Sequence, residues 1–165
     1  MADTVIVNAS PLIFLSGAGL LDLFRFDAGA EVLVPEPVWR EVTVKGGTAS
    51  TTLKALNSCT WIRRVQAPVL EETVATWNLG AGESAVIGCA LAHPCSTVVI
   101  DDLAARRCAR SLGLGVRGTL GLVLDGHRRG TVKDARRVLE AMRMRGMWLS
   151  DAVFAKALRE AGIES

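Results

Sequence analysis

The chain has 165 residues, half of them apolar and 22% charged, with a formal net charge of +2. That length suits one domain with a real core, residues 1–165, and the composition excludes a disordered tail, a stalk or a fibrous repeat. No apolar run reaches the roughly 18 residues of a membrane span, and the opening MADTVIV lacks a basic segment and enters a strand at once, so a cytoplasmic protein with no membrane association is expected.

In chain order, the first predicted strand is Thr4–Val7, ending at Asn8. Pro11 then suits the first turn of a helix that Asn8 or Ser10 could cap. A second strand at Glu31–Val34 leads through Pro35-Glu36-Pro37 into a helix carrying Val38 to Val42. The Gly46-Gly47 pair marks a loop before the short helical LKALNS. The third strand is Trp61–Val65, after which LEETVATWN reads as helical.

GAGESAVIGCALA opens the next helix, which is apolar almost all round beyond its first turn and so must be buried on most sides. A fourth strand, Thr97–Ile100, runs into Asp101-Asp102, where Asp102 can cap LAARRCARSL and Gly113 ends it. A short fifth strand, Gly115–Arg117, precedes LGLVLDGHRR, which starts at Thr119 and stops at Gly130. VKDARRVLEAMRMRG then places Ala135, Val138, Leu139 and Met142 on one face, and DAVFAKALREAG closes the chain. Strands alternating with helices predict an α/β fold with a mostly parallel sheet.

In a parallel sheet the residues that end strands or open the following helices collect at the carboxyl edge, where ligands bind. Asn8, Glu41, Glu83 and the Asp101-Asp102 pair all fall at such places. Glu83 is the most informative, because the nine residues after it in its helix are uncharged. A carboxylate there needs hydrogen-bond donors or a metal. The ordinary roles of these acids are a helix-dipole partner for Glu83, a cap for Asp102 and a solvated surface residue for Glu41.

Other residues carry weaker signals. Cys59, Cys89, Cys95 and Cys108 follow no C-x-x-C spacing and are expected to be reduced, structural thiols. GAGESA also satisfies G-x-G-x-x-A with acids about 20 residues on, but a dinucleotide fingerprint must directly follow a strand, and EETVATWNL does not read as one. From Glu83 onward there are 13 basic and 9 acidic residues, against 6 and 8 before it. In that basic half, Arg106 and Arg110 are candidates for phosphate contact. His93 and His127 are expected to pack or cap, and the four tryptophans to serve the core or a partner surface.

The series VIVNASPLIFL, VPEPVWREV, GAGESAVIGCALA, VVIDDLAARRCARSLGLGVRGTLGLV and MRGMWLS resembles the PIN domain, and more narrowly its small prokaryotic members, which include toxin-like ribonucleases. The resemblance implies a three-layer α/β/α sandwich and an acidic cluster that binds Mg²⁺ or Mn²⁺ and cleaves single-stranded RNA. It further implies catalytic roles for Glu41, Glu83, Asp101 and Asp102 and metal ligation by Asn8, Glu83 and Asp101 or Asp102. Thr119 would hold a water or phosphate. An antitoxin protein and a second copy of the chain are the implied partners.

Asn8 departs from the family, which usually has Asp at that position. An amide oxygen can still ligate a metal but brings no charge, which weakens metal binding. A weakened nuclease, a catalytically silent interaction module and a substitution of laboratory origin all remain open readings of that residue.

Overall fold

The computed structural model describes residues 4–26, 29–46 and 51–163, which fall into two compact units, Met1–Gly118 and Thr119–Ser165. The first unit is built on β-branched strand sequences. In β1 (Thr4–Val7), Val5, Ile6 and Val7 are all fully buried, as are Val32, Leu33 and Val34 in β2 (Glu31–Pro35). Successive strand residues point to opposite faces, so both faces are covered. β3 (Ile62–Val65), β4 (Thr97–Val99) and β5 (Gly115–Arg117) complete a parallel sheet in the order β3-β2-β1-β4-β5.

The chain thus moves outward from β1 through β2 to β3, returns to β4 on the other side of β1, and ends at β5. Strand order reverses between β1 and β4, and in open parallel sheets the crevice outside the carboxyl ends at such a point is where ligands bind. Val7 pairs with Val99 there, and the Asn8 backbone N–H donates to the Val99 carbonyl at 3.0 Å.

Helices flank the sheet to give the α/β/α sandwich: α1 (Ala9–Gly17), α2 (Glu36–Gly46), α3 (Thr51–Ser58), α4 (Glu72–Ala75), α5 (Ala81–Ala92) and α6 (Leu103–Ser111). Buried from Ser84 to Ala90, α5 packs on β1, β2 and β4 and against α2. This is the burial that its uncharged sequence demands. In α6, the Asp102 carboxylate accepts the Ala105 N–H at 2.8 Å, the expected cap. Gly113 then takes a positive φ of 76° and ends the helical path.

Some boundaries differ from expectation. LEETVATWN forms only the single turn of α4, because β-branched Thr73 and Val74 disfavour helix, Asn78 has a left-handed φ of 52°, and only Val74 of the turn is buried. Gly46 closes α2 rather than opening a loop, and Gly47 lies outside the described residues.

The second unit contains α7 (Thr119–Arg128), α8 (Ala135–Met144) and α9 (Asp151–Glu160). α7 and α8 pack together, with Val123, Leu124, Ala135, Leu139 and Met142 buried. Asp134 accepts the Arg137 N–H at 3.0 Å and so sets the start of α8 at Ala135, where the apolar pattern begins. The His127 ring Nδ1 lies 3.0 Å from the Val132 carbonyl beyond the end of α7, a capping contact.

Candidate metal centre at the carboxyl edge of the sheet

Asn8 occupies the N-cap position of α1, yet its side chain makes no capping hydrogen bond. Its amide is turned across the edge instead, and Nδ2 donates to Glu83 Oε1 at 3.3 Å. The residue is only 4% exposed, and its Oδ1 is a buried side-chain oxygen with no hydrogen-bond partner. A buried acceptor in that condition costs about 1–3 kcal/mol unless a water or a ligand meets it.

Three elements converge there. β1 leads directly into Asn8, α5 carries Glu83 in its first turn, and α2, packed against α5, presents Glu41. The common point is Gly82. A β-carbon on it would stand 3.0 Å from Glu41 Oε2 and 3.1 Å from Asn8 Oδ1, so both oxygens face the space that glycine leaves open. The other Glu41 oxygen, Oε1, accepts from Lys45 Nζ one helical turn on, at 2.5 Å.

Asp101 follows β4 on the same edge but meets a different neighbour. Its Oδ1 and the Arg106 guanidinium both border Gly118, and Arg106 Nη1 donates to the Ile100 carbonyl at 2.9 Å. Burial holds the Arg106 guanidinium below its ordinary pKa, with Arg110 acting in the same direction and Asp101 opposing. Asp102 is committed to capping α6. Arg110 is exposed, and Thr119, the first residue of α7, is fully buried.

Among the described residues no three His, Cys, Asp or Glu side chains are grouped as a metal site. The group that the structure does gather, Asn8, Glu41 and Glu83, contains two carboxylates and an amide. These are hard oxygen donors that suit Mg²⁺ or Mn²⁺ rather than a thiolate-loving metal. The orphaned Asn8 oxygen and the gap over Gly82 fit such an ion. Gly80 precedes α5 as its N-cap and follows a loop, so GAGESA is not the strand-to-helix turn of a dinucleotide site.

A model of the PIN-domain family matches residues 4–163, nearly the whole chain and both structural units. The chain belongs to the PIN-domain family. No curated protein matches it by sequence. Membership ties this PIN domain to nuclease chemistry, often on RNA, at the level of the family.

Two features of the edge escape a reading of acids alone. Gly82 sits inside a helix, where glycine is unfavourable, and that mismatch was its visible signal. Lys45 stands four residues after Glu41, the spacing of a helical ion pair. Elsewhere the four cysteines are free thiols, and burial pushes Cys59, Cys89 and Cys108 above the ordinary thiol pKa, whereas Cys95 is exposed. Of the tryptophans, Trp39 and Trp61 stack under Arg64 and Arg25, and Trp148 is 89% exposed. No described helix is long and apolar enough to cross a membrane.

Proposed function

We propose that this PIN-domain protein is a metal-dependent endoribonuclease acting on single-stranded RNA, the cytoplasmic toxin of a toxin–antitoxin pair, working as a homodimer whose two units per chain form one domain. The observation that carries the reading is the unpartnered Asn8 Oδ1, facing the same gap as Glu41 Oε2 at the point where strand order reverses. Asn8, Glu41 and Glu83 would hold Mg²⁺ or Mn²⁺, and Asp101 would complete the acidic edge. A divalent cation there supplies charge neutralisation of the scissile phosphate and acidification of an attacking water.

The chain's own groups do the positioning. The Asn8 amide N–H fixes the rotamer of Glu83 through Oε1. Lys45 fixes Glu41 through Oε1, leaving Oε2 directed over Gly82. Arg106 anchors to the Ile100 carbonyl and offsets the charge of Asp101, while exposed Arg107 and Arg110 on α6 supply positive potential for an RNA backbone. Thr119 would hold a water or phosphate.

The test is cleavage of a single-stranded RNA in Mn²⁺ by the protein, by Asn8→Asp and by Glu83→Ala. Activity in the first two, higher in Asn8→Asp, and none in Glu83→Ala is the expected result. Equal activity in all three overturns the assigned site.

A second reading, a non-catalytic interaction module, is favoured by one observation: the edge is partly compensated from within. Lys45 pairs with Glu41, Arg106 faces Asp101, and a neutral amide stands beside Glu83. That reading predicts RNA or partner binding without Mn²⁺-dependent cleavage and without carboxylate-dependent Mn²⁺ binding heat.

A further inference from the structure

We infer that the missing side chain of Gly82 is itself a determinant of cation binding, because a β-carbon there would press on both the Asn8 and the Glu41 oxygen and displace them from the positions in which they can share an ion. The inference rests on the metal-dependent reading above and deepens it, assigning a positioning role to a residue with no functional group.

The argument starts from helix chemistry. Gly82 is buried in the first turn of α5, a helix with ordinary φ at that position and no turn to make. Neither positive φ nor a chain reversal calls for glycine, and alanine there would strengthen the helix. What calls for it is the surroundings. A methyl group would sit 3.0 Å from one carboxylate oxygen and 3.1 Å from a buried amide oxygen, distances too short for relaxed carbon–oxygen packing, with Val38 Cγ2 at 3.6 Å behind them.

The two oxygens belong to residues 33 positions apart in the chain, on different elements, yet a single methyl group on Gly82 would press on both. Apolar contact does not explain why two oxygens are drawn to that spot, and the Asn8 Oδ1 there lacks a donor. A cation accounts for both facts. Gly88, in the buried interior of the same helix, provides the contrast: its β-carbon would touch only Pro68 Cγ, at 3.4 Å. One glycine of α5 faces oxygens, and the other faces a ring carbon.

The experiment measures Mn²⁺ binding by titration calorimetry, and melting temperature in EDTA and in Mn²⁺, for the full chain and for Gly82→Ala and Gly88→Ala. Gly82→Ala is expected to lose at least about tenfold in Mn²⁺ affinity, the scale seen when a metal site's supporting residues are changed. Its Mn²⁺-induced rise in melting temperature should vanish, and its melting temperature in EDTA should equal or exceed that of the parent. Gly88→Ala should keep the parent's Mn²⁺ affinity.

Parent and Gly82→Ala binding Mn²⁺ within twofold of each other overturns the inference and leaves the metal reading standing. A parent that binds no Mn²⁺ overturns the metal reading and the inference with it. Should Gly82→Ala melt early in EDTA, the double variant Asn8→Ala/Gly82→Ala gives the methyl room. Recovery of its melting temperature supports oxygen crowding as the cause, and failure to recover overturns it.

Discussion

Helix α2 carries two glutamates five residues apart, and their surroundings are opposite. Glu36 is 8% exposed and fully engaged: Arg40 Nε reaches Oε1 at 3.0 Å, Arg64 Nη2 reaches the same oxygen at 2.5 Å, and Arg64 Nε pairs with Oε2. Arg64 in turn lies over the Trp39 ring at 5.5 Å. Glu41, one and a half turns on, has a single lysine on one oxygen and directs the other at a gap that it shares with an unpartnered amide. The satisfied cluster ties α2 to the edge strand β3. The unsatisfied one stands at the sheet's switch point, where a ligand can complete it.

The sharpest way to break this contrast is Glu83→Ala, which removes the acceptor of Asn8 and a proposed ligand together. A loss of Mn²⁺-dependent RNA cleavage on the order of a hundredfold or more is expected, the scale of losing a main electrostatic contributor in a hydrolytic site. The measurement is initial rate at saturating Mn²⁺, with Glu36→Gln in parallel retaining cleavage.

Asn8→Asp sharpens the contrast from the other side. A carboxylate in place of the amide would stand against Glu83 Oε1 without a proton donor between them, so the metal-free protein should melt at a lower temperature. Its Mn²⁺ affinity should rise by about tenfold or more, since a further unit charge a few ångströms from an ion is worth at least ~1 kcal/mol even in a watery dielectric. Melting curves with EDTA and with Mn²⁺ check both signs.

The Glu36 cluster predicts a pH signature. Its hydrogen bond from Arg64, with Arg40 assisting and burial opposing, holds the Glu36 carboxyl below its ordinary value of 4.5. A depressed folded-state pKa means that the contribution to stability is complete above about pH 4.5 and drains away as pH falls through the folded value. Glu36→Gln should therefore lower the melting temperature at neutral pH and narrow its gap to the parent below pH 4, as read by thermal melts across pH 3 to 7.

The smallest effect is expected at Asp102. Its carboxylate caps α6, so Asp102→Ser keeps a capping oxygen and should change stability by only a few tenths of a kcal/mol, whereas Asp102→Ala costs about 1 kcal/mol. Unchanged Mn²⁺ binding in the serine variant would separate Asp102 from the metal site and leave Asp101 as the acid of that loop.

Much of this was legible in the sequence because the relevant forces are local. Runs such as TVIV and EVLVP specify buried parallel strands, the acid-poor run after Glu83 specifies a central helix, and Asp102 stands at a position where a cap is the cheapest use of its oxygen. The helical reading of LEETVATWN held for one turn only, because propensity alone does not hold a surface segment that buries one residue. At the sheet edge, their places at a strand end and in helices leading away from it singled out Asn8, Glu41 and Glu83 as candidates, but not that the amide of Asn8 would turn from its own helix to Glu83, nor that a glycine would lie against both Asn8 and Glu41. Those facts depend on how α2 and α5 cross, which no single stretch of chain encodes. The Glu36–Arg64 pair was hidden for the same reason, its partners lying 28 residues apart on different elements.

The outermost strand on the β2 side has a bearing on self-association. β3 contributes Ile62 to the interior, but Arg63 and Arg64 face outward, held by Glu31 and Glu36. Extending the sheet with a strand from another molecule would bring a foreign backbone alongside two anchored guanidinium groups, which is how natural proteins discourage ribbon-like growth. At this border of the sheet, growth by strand addition is therefore opposed by charge.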